Sequence, residues 1–203
     1  MSVAREAERG EGATHDLLAA LAGAASQGDL TATRMLLEAL APRMISVARG
    51  VLGPSDPDVE DAAQEALIAV LRALPAFRGE CSVAHYAARI GVRCCMTMRR
   101  RGRRERAVVE ESSADAGVVG APVEPVVADR RRAEIRDLLA TLPEAQAETL
   151  ALRVVLGLSM HEVAVATGAP LNTVRSRLRL AKEALRKKIE ADPVLAEALE
   201  VGS

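Results

Sequence analysis

Eight apolar positions in the stretch "SDPDVEDAAQEALIAVLRAL", namely Val59, Ala62, Ala63, Ala66, Leu67, Val70, Leu71 and Leu74, recur at spacings of three and four. That period fits the 3.6-residue turn of an α-helix and excludes a strand. A helix with one unbroken apolar stripe must be covered by other elements, and the composition says which kind. Apolar residues make up 49% of the chain, yet it holds one Phe, one Tyr and no Trp. Such an Ala-, Leu-, Val-, Arg- and Glu-rich chain favours helices packed through aliphatic contacts over a sandwich of strands. The expected class is all-α, and 203 residues suffice for one large domain or two small ones.

Two helical units are expected. Residues 1–13 lack periodicity, hold two glycines and read as a disordered tail. Residues 14–106 read as a four-helix domain. Its first helix covers about 15–26 and ends at Gly28; Asp29 caps a second running from Leu30 to Leu52, bent at Pro42. Asp58 is positioned to cap the third, whose positive N-terminal end suits Glu60 and Asp61. After the loop "PAFRGEC", Ser82 caps a fourth with Val83, Tyr86, Ile90 and Cys94 on one face. That helix runs into "RRRGRRER", six arginines against one glutamate. The composition then reverses: residues 107–128 hold four acids, no Lys or Arg, two prolines and two glycines, as a flexible connector does. Helical patterns resume over 129–190, beginning with Ile135, Leu138, Leu139 and Leu142, and an acidic tail occupies 191–203.

Within the second unit, "LSMHEVAVATGAPLNTVRSRLRLAKEALRKK" carries two short helical patterns around Gly-Ala-Pro. Ser159 lies three residues before Glu162, the spacing of a capping box. Gly168 suits a left-handed stop, and Asn172 a cap for a helix from Thr173. The inward set is Val174, Leu178, Ala181, Leu185 and Ile189; Arg175, Ser176, Arg177, Arg179, Lys182 and Arg186 face elsewhere. A helix, a tight turn and a second helix with a basic start make a helix-turn-helix, whose second helix enters the major groove of DNA. The same charge run also fits a merely solvated helix face.

Two separated stretches resemble one known family. "DVEDAAQEALIAVLRALPAFRGECSVAHYAARI" with its arginine cluster is similar to region two of the extracytoplasmic-function (ECF) sigma factors, a sigma-70 subfamily of bacterial RNA polymerase. "LPEAQAETLALRVVLGLSMHEVAVATGAPLNTVRSRLRLAKEALRKKI" is similar to their region four. The resemblance implies a protein that binds core RNA polymerase through its largest-subunit clamp helices and its flap, and that recognises promoter DNA at −35 and −10. Asp61, Gln64 and Glu65 match the polymerase-binding face. Phe77 and Arg78 match the loop that holds a flipped base of the −10 strand, and Arg89, Arg93, Arg99 and Arg100 match contacts to the same element. Thr173, Arg175, Ser176, Arg177, Arg179 and Lys182 match the −35 reader. An anti-sigma factor is among the partners the family implies.

The chain departs from the family pattern at named positions. Leu67 and Leu71 stand where aromatics are frequent, Tyr86 where Trp is common, and Asn172 where Gly is common. Arg93 replaces a usual Asn, and a long cation favours phosphate over one base edge.

The remaining features narrow the class. The net charge of −1 predicts no polyanionic partner by itself, so local charge carries the reading. The apolar run "LLAALAGAA" is too short to cross a bilayer, and three cysteines without framework spacing read as reduced thiols of the cytoplasm. Cys81, His85, Cys94 and Cys95 lack the paired spacing of a zinc site, and no nucleophile triad or phosphate-cradling loop is present, so neither a cofactor nor catalysis is expected. Two other classes fit the residues alone. One is a helix-turn-helix regulator that binds an operator without polymerase; the other is a helical adaptor that binds only protein.

Overall fold

The structure, a computed structural model, describes residues 2–113, 139 and 141–191. Seven α-helices and no strands are found among them: α1 Ser2–Ser26, α2 Leu30–Leu52, α3 Val59–Ala73, α4 Val83–Ser113, α5 Glu144–Val154, α6 Met160–Thr167 and α7 Leu171–Ala191. A short 3-10 turn, Leu74–Ala76, follows α3. The all-α expectation holds. Residues 114–128 of the expected connector, Ile135 and Leu138, and the tail from 192 lie outside the described residues.

Three of the expected boundaries shift. Helix α1 starts at Ser2, so residues 2–13 are helical where a tail is predicted. Their Ala, Arg and Glu content favours helix by enough to offset two glycines. Helix α4 continues to Ser113, past the expected domain end at 106, because "RAVVEESS" holds no helix breaker. Helix α7 begins two residues early, so Asn172 lies in its first turn and does not cap it; Asn172 Oδ1 instead accepts from Arg175 Nη1 at 3.2 Å.

Helices α1 to α4 pack around the α3 stripe. Val59, Ala62, Ala63, Ala66 and Val70 are buried against Leu36, Leu40, Met44, Val47 and Val51 of α2. Asp29 caps α2, accepting from the Ala32 amide at 3.0 Å, and Ser82 Oγ accepts from the His85 amide at 3.1 Å. Asp58 makes no side-chain cap on α3; Asp56 takes up the Asp58 amide at 3.0 Å instead. The buried stripe of α4 is also rotated from the expected one. It runs through Val83, Ala87, Ala88, Val92, Cys95 and Met96, with Tyr86, Ile90 and Cys94 at its border. Small alanines let α2 and α3 approach closely on that side, which larger residues at the border do not permit.

Helices α5 to α7 form the second unit. Ser159 and Glu162 complete the capping box, with Glu162 Oε2 accepting from the Ser159 amide at 2.7 Å and Ser159 Oγ from the Glu162 amide at 3.2 Å. Those bonds hold the Glu162 carboxyl below the usual glutamate range. A depressed carboxylate contributes its stabilisation above the ordinary value and loses it as pH falls through the folded one, so the cap is intact at neutral pH. Gly168 ends α6 at φ +63°, a left-handed conformation that a side chain disfavours. Val163, Ala166, Val174, Leu178 and Ala181 close the core of the unit.

Arg99 departs furthest from its sequence assignment. It is expected on the DNA-facing surface, yet it is only 9% exposed and its Nη1 donates to the carbonyls of Val51 at 3.2 Å and Leu52 at 3.0 Å. It thus satisfies the open carbonyl end of α2 with a cation, the sign that the helix dipole favours there. Arg99→Ala is expected to cost about 2 kcal/mol or more in urea unfolding, from lost charged hydrogen bonds and lost packing of the stem. A loss under about 0.5 kcal/mol contradicts the capping role.

Candidate nucleic-acid and polymerase interfaces

The start of α7 presents a cationic face to solvent. Arg175, Ser176, Arg179 and Lys182 are exposed, Thr173 and Arg177 half-buried, while Val174, Leu178 and Ala181 point into the core. The periodicity that buries the second set necessarily exposes the first. Arg179 is held in place by Glu183, Nη1 to Oε1 at 2.7 Å, and both side chains remain at least half exposed. The groove between α5 and α7 has Leu150 and Leu178 at its base and is bordered by Arg153, Arg175, Arg179 and Lys182. Met160 and the 67%-exposed Val154 also line it. Exposed arginines on the first turns of a helix, behind a short capped helix and a tight turn, can bond phosphates and base edges in a major groove.

A second set of expected contacts lies around the loop after α3. Phe77 is half-buried and its ring sits 4.8 Å, centroid to centroid, from that of Tyr86, tilted by 43°. Tyr86 Oη donates to the Ala73 carbonyl at 3.1 Å, which ties α4 to the end of α3 and supports the loop. Arg78 is exposed. Below the loop, a cavity of about 110 Å³ is lined by Phe77, Arg78, Cys81, Tyr86 and Arg89 on one side and by Val165 and Ala166 of α6 and its capping Gly168 on the other.

Three of the α4 arginines expected on the −10 element have partners in the second unit. Arg89 Nε lies 3.0 Å from Glu148 Oε1, Arg93 Nη2 lies 2.9 Å from Glu144 Oε1, and Arg100 Nη2 donates to the Leu142 carbonyl at 3.1 Å. Glu144 and Glu148 had no assigned role in the sequence. Their signal was nevertheless present, because a spacing of four puts both carboxylates on one face of α5. His85 Nε2 adds a contact to Glu162 Oε1 at 3.7 Å. Burial first, and Arg43 next, pull the His85 imidazole below the ordinary histidine value, so it is neutral at pH 7.

Asp61, Gln64 and Glu65 all lie exposed along one side of α3, as expected. Ile68 continues that line at helical spacing and is 48% exposed. The sequence reading omitted it, although the 61, 64, 65, 68 pattern marks a single face. An exposed large apolar side chain bordered by polar and charged ones fits the apolar centre and polar rim of a protein interface.

No group of three or more His, Cys, Asp or Glu placed to hold a metal exists among the described residues. The Cys95 thiol is buried, and burial pushes it up to about 12; Cys81 and Cys94 are raised by the same cause. Buried and held in its protonated form at pH 8, the Cys95 sulfur offers a reagent neither access nor thiolate. A maleimide is expected to leave Cys95 unlabelled until the chain unfolds; labelling within minutes in native buffer contradicts that placement.

Comparison with known proteins decides the family. The family description Sigma-70 region 2 matches residues 36–105, and Sigma-70, region 4 matches residues 132–185. The chain is 33% identical over 184 residues to "ECF RNA polymerase sigma factor SigD" of Mycobacterium tuberculosis, spanning 86% of this chain and 84% of the relative. The chain belongs to the ECF sigma factors. Another relative of this sigma factor is "ECF RNA polymerase sigma-E factor" of Escherichia coli, 30% identical over 142 residues, or 66% of this chain and 74% of that one. The sigma factor also shares its fold with CnrH, solved in complex with the cytosolic domain of CnrY. That likeness has a TM-score of 0.51 and 24% identity, and covers 85% of this chain and 96% of the other.

Proposed function

We propose that this sigma factor brings core RNA polymerase to promoters through four surfaces. The Asp61, Gln64, Glu65 and Ile68 face of α3 docks on the clamp helices of the largest subunit, and the second unit docks on the flap. The α7 face of Thr173, Arg175, Ser176, Arg177, Arg179 and Lys182 reads the −35 element. Phe77 and Arg78 receive a flipped base of the −10 strand, and Arg89, Arg93 and Arg100 bind its phosphates. Arg99 is left out of that set because its guanidinium caps α2. The polymerase supplies the chemistry; the sigma factor supplies recognition and strand separation, and acts in the cytoplasm.

The observation that carries this reading is the solvent-facing basic start of α7 behind a bonded capping box, on the same chain as an exposed acidic helix face. The combination fits a factor that touches DNA and a protein partner together better than an operator-binding regulator. Run-off transcription from the promoter upstream of its own operon, with purified core polymerase, tests it. A discrete transcript is expected only when chain and core are both present. An equal transcript from core alone, or none with both, contradicts the reading.

A further inference from the structure

The groove between α5 and α7 has a feature that promoter contacts leave unused. Its rim is cationic, with Arg175, Arg179 and Lys182 exposed on the α7 side. Its interior is apolar and open: Val154 is 67% exposed and Met160 36%, beside the buried Leu150 and Leu178. Phosphates and base edges satisfy the cations but give the apolar surface nothing to pack against. The groove holds about 620 Å³, a size that takes side chains rather than single waters. An occupant that fits both parts carries large aliphatic side chains and carboxylates in one short segment.

The chain itself holds such a segment. Residues 192–203, "DPVLAEALEVGS", lie outside the described residues and contain Asp192, Glu197 and Glu200 with no Lys or Arg. Leu195, Glu197, Leu199 and Glu200 alternate leucine with carboxylate along it. Its length is sufficient. Ala191, where α7 ends, lies about 14 Å along the helix axis from Lys182 and about 24 Å from Arg175. Residues 192–203 reach about 40 Å at full extension. Pro193 opposes continuation of α7 at the point where the chain must turn back. A segment tethered this closely meets the groove at an effective concentration on the order of millimolar, so a weak contact suffices to fill it.

We infer that residues 192–203 fold back along α7 and dock in the groove between α5 and α7: Leu195 and Leu199 cover Val154 and Met160, Glu197 and Glu200 pair with the cations of the rim, and the chain thereby shields its own −35 face from duplex DNA. This rests on the reading of α7 as the −35 reader and adds a tethered competitor to it. Carboxylates and phosphates then contend for the same arginines, so the tail yields to a duplex whose base contacts add to its charge and holds off one that offers charge alone.

Binding of a fluorescent duplex carrying the −35 segment upstream of its own operon, followed by anisotropy without core polymerase, tests the inference. A tail docked about nine-tenths of the time hides the face in that proportion, so a chain ended at Ala191 is expected to bind about 10-fold tighter than the native one. The truncation also removes negative charge, so two variants of unchanged charge carry the decision. Leu195→Ser with Leu199→Ser alters the tail, and Val154→Ser alters the groove at an exposed position outside the buried core. Each is expected to tighten duplex binding about 5-fold, and their combination is expected to gain no more than either, because one change already undocks the tail. If the truncated chain gains while both serine variants match the native chain, the effect is bulk charge and the docking is overturned. Additive gains from tail and groove variants overturn it, and so does a truncated chain that binds no tighter than the native one. If Val154→Ser weakens association with core polymerase and leaves duplex binding unchanged, the groove belongs to the polymerase and the docking is likewise overturned. Run-off transcription separates the two levels. If the native chain supports initiation and its Arg175→Glu variant does not, failure of the duplex-binding results removes only the tail contact; if initiation is indifferent to Arg175→Glu, the α7 reading falls and takes the tail contact with it.

Discussion

Reversing Arg175 and Arg177 together to Glu is expected to abolish promoter-specific initiation and to leave the affinity for core polymerase unchanged. Both residues lie on the first two turns of α7, Arg175 exposed and Arg177 half-buried, and neither belongs to the buried set Val174, Leu178 and Ala181. A bidentate contact to a base edge contributes about 1–3 kcal/mol of discrimination, and a carboxylate in its place repels the backbone phosphates as well. Two reversals therefore predict a fall on the order of 100-fold or more in run-off product. The α3 face lies on a different helix, so a pull-down with core should be unaltered. If transcription persists, the −35 assignment of α7 is wrong; if transcription and core binding disappear together while the fold is intact, the division of labour between α3 and α7 is wrong.

The second large effect belongs to α3. Asp61→Lys with Glu65→Lys places two cations where the native helix presents two exposed acids on the face that Ile68 continues. Cross-interface charge pairs are worth about 2–5 kcal/mol when one partner is lost, and reversal adds repulsion, so core binding should weaken on the order of 100-fold. Asp61 is in the first turn, where a cation opposes the helix dipole, but that penalty is only about 0.5–1 kcal/mol. The unfolding midpoint in urea should therefore move little while association with core collapses. Ile68→Ala should weaken core binding without altering charge. Unchanged affinity in both variants rules this face out as the docking surface.

How far the sequence was readable differs by kind of feature. The α3 stripe and the core-facing set of α7 were legible because helix periodicity is local and repeats over several turns. The capping box was legible because its two side chains act within four residues. The positions of Arg99, Glu144 and Glu148 were not, because each depends on a partner 47 to 59 residues away. A basic run is a statement about charge, and charge alone does not say whether a guanidinium meets phosphate, a carboxylate of the same chain or the open end of a neighbouring helix. Arg89, Arg93 and Arg99 read alike in sequence and meet a buried glutamate, an exposed glutamate and two carbonyls. The same limit explains the rotated stripe of α4, where alanines that carry little hydrophobic signal take the core and the larger Tyr86 and Ile90 sit at its edge.

The central claim is that this chain reads a promoter only as part of the transcribing enzyme. DNase I footprinting on the promoter of its own operon, with and without core polymerase, tests it most directly. The account predicts protection over −35 and −10 when both are present and no −10 protection from the chain alone. A full two-element footprint by the isolated chain, or a palindromic operator protected without polymerase, contradicts it.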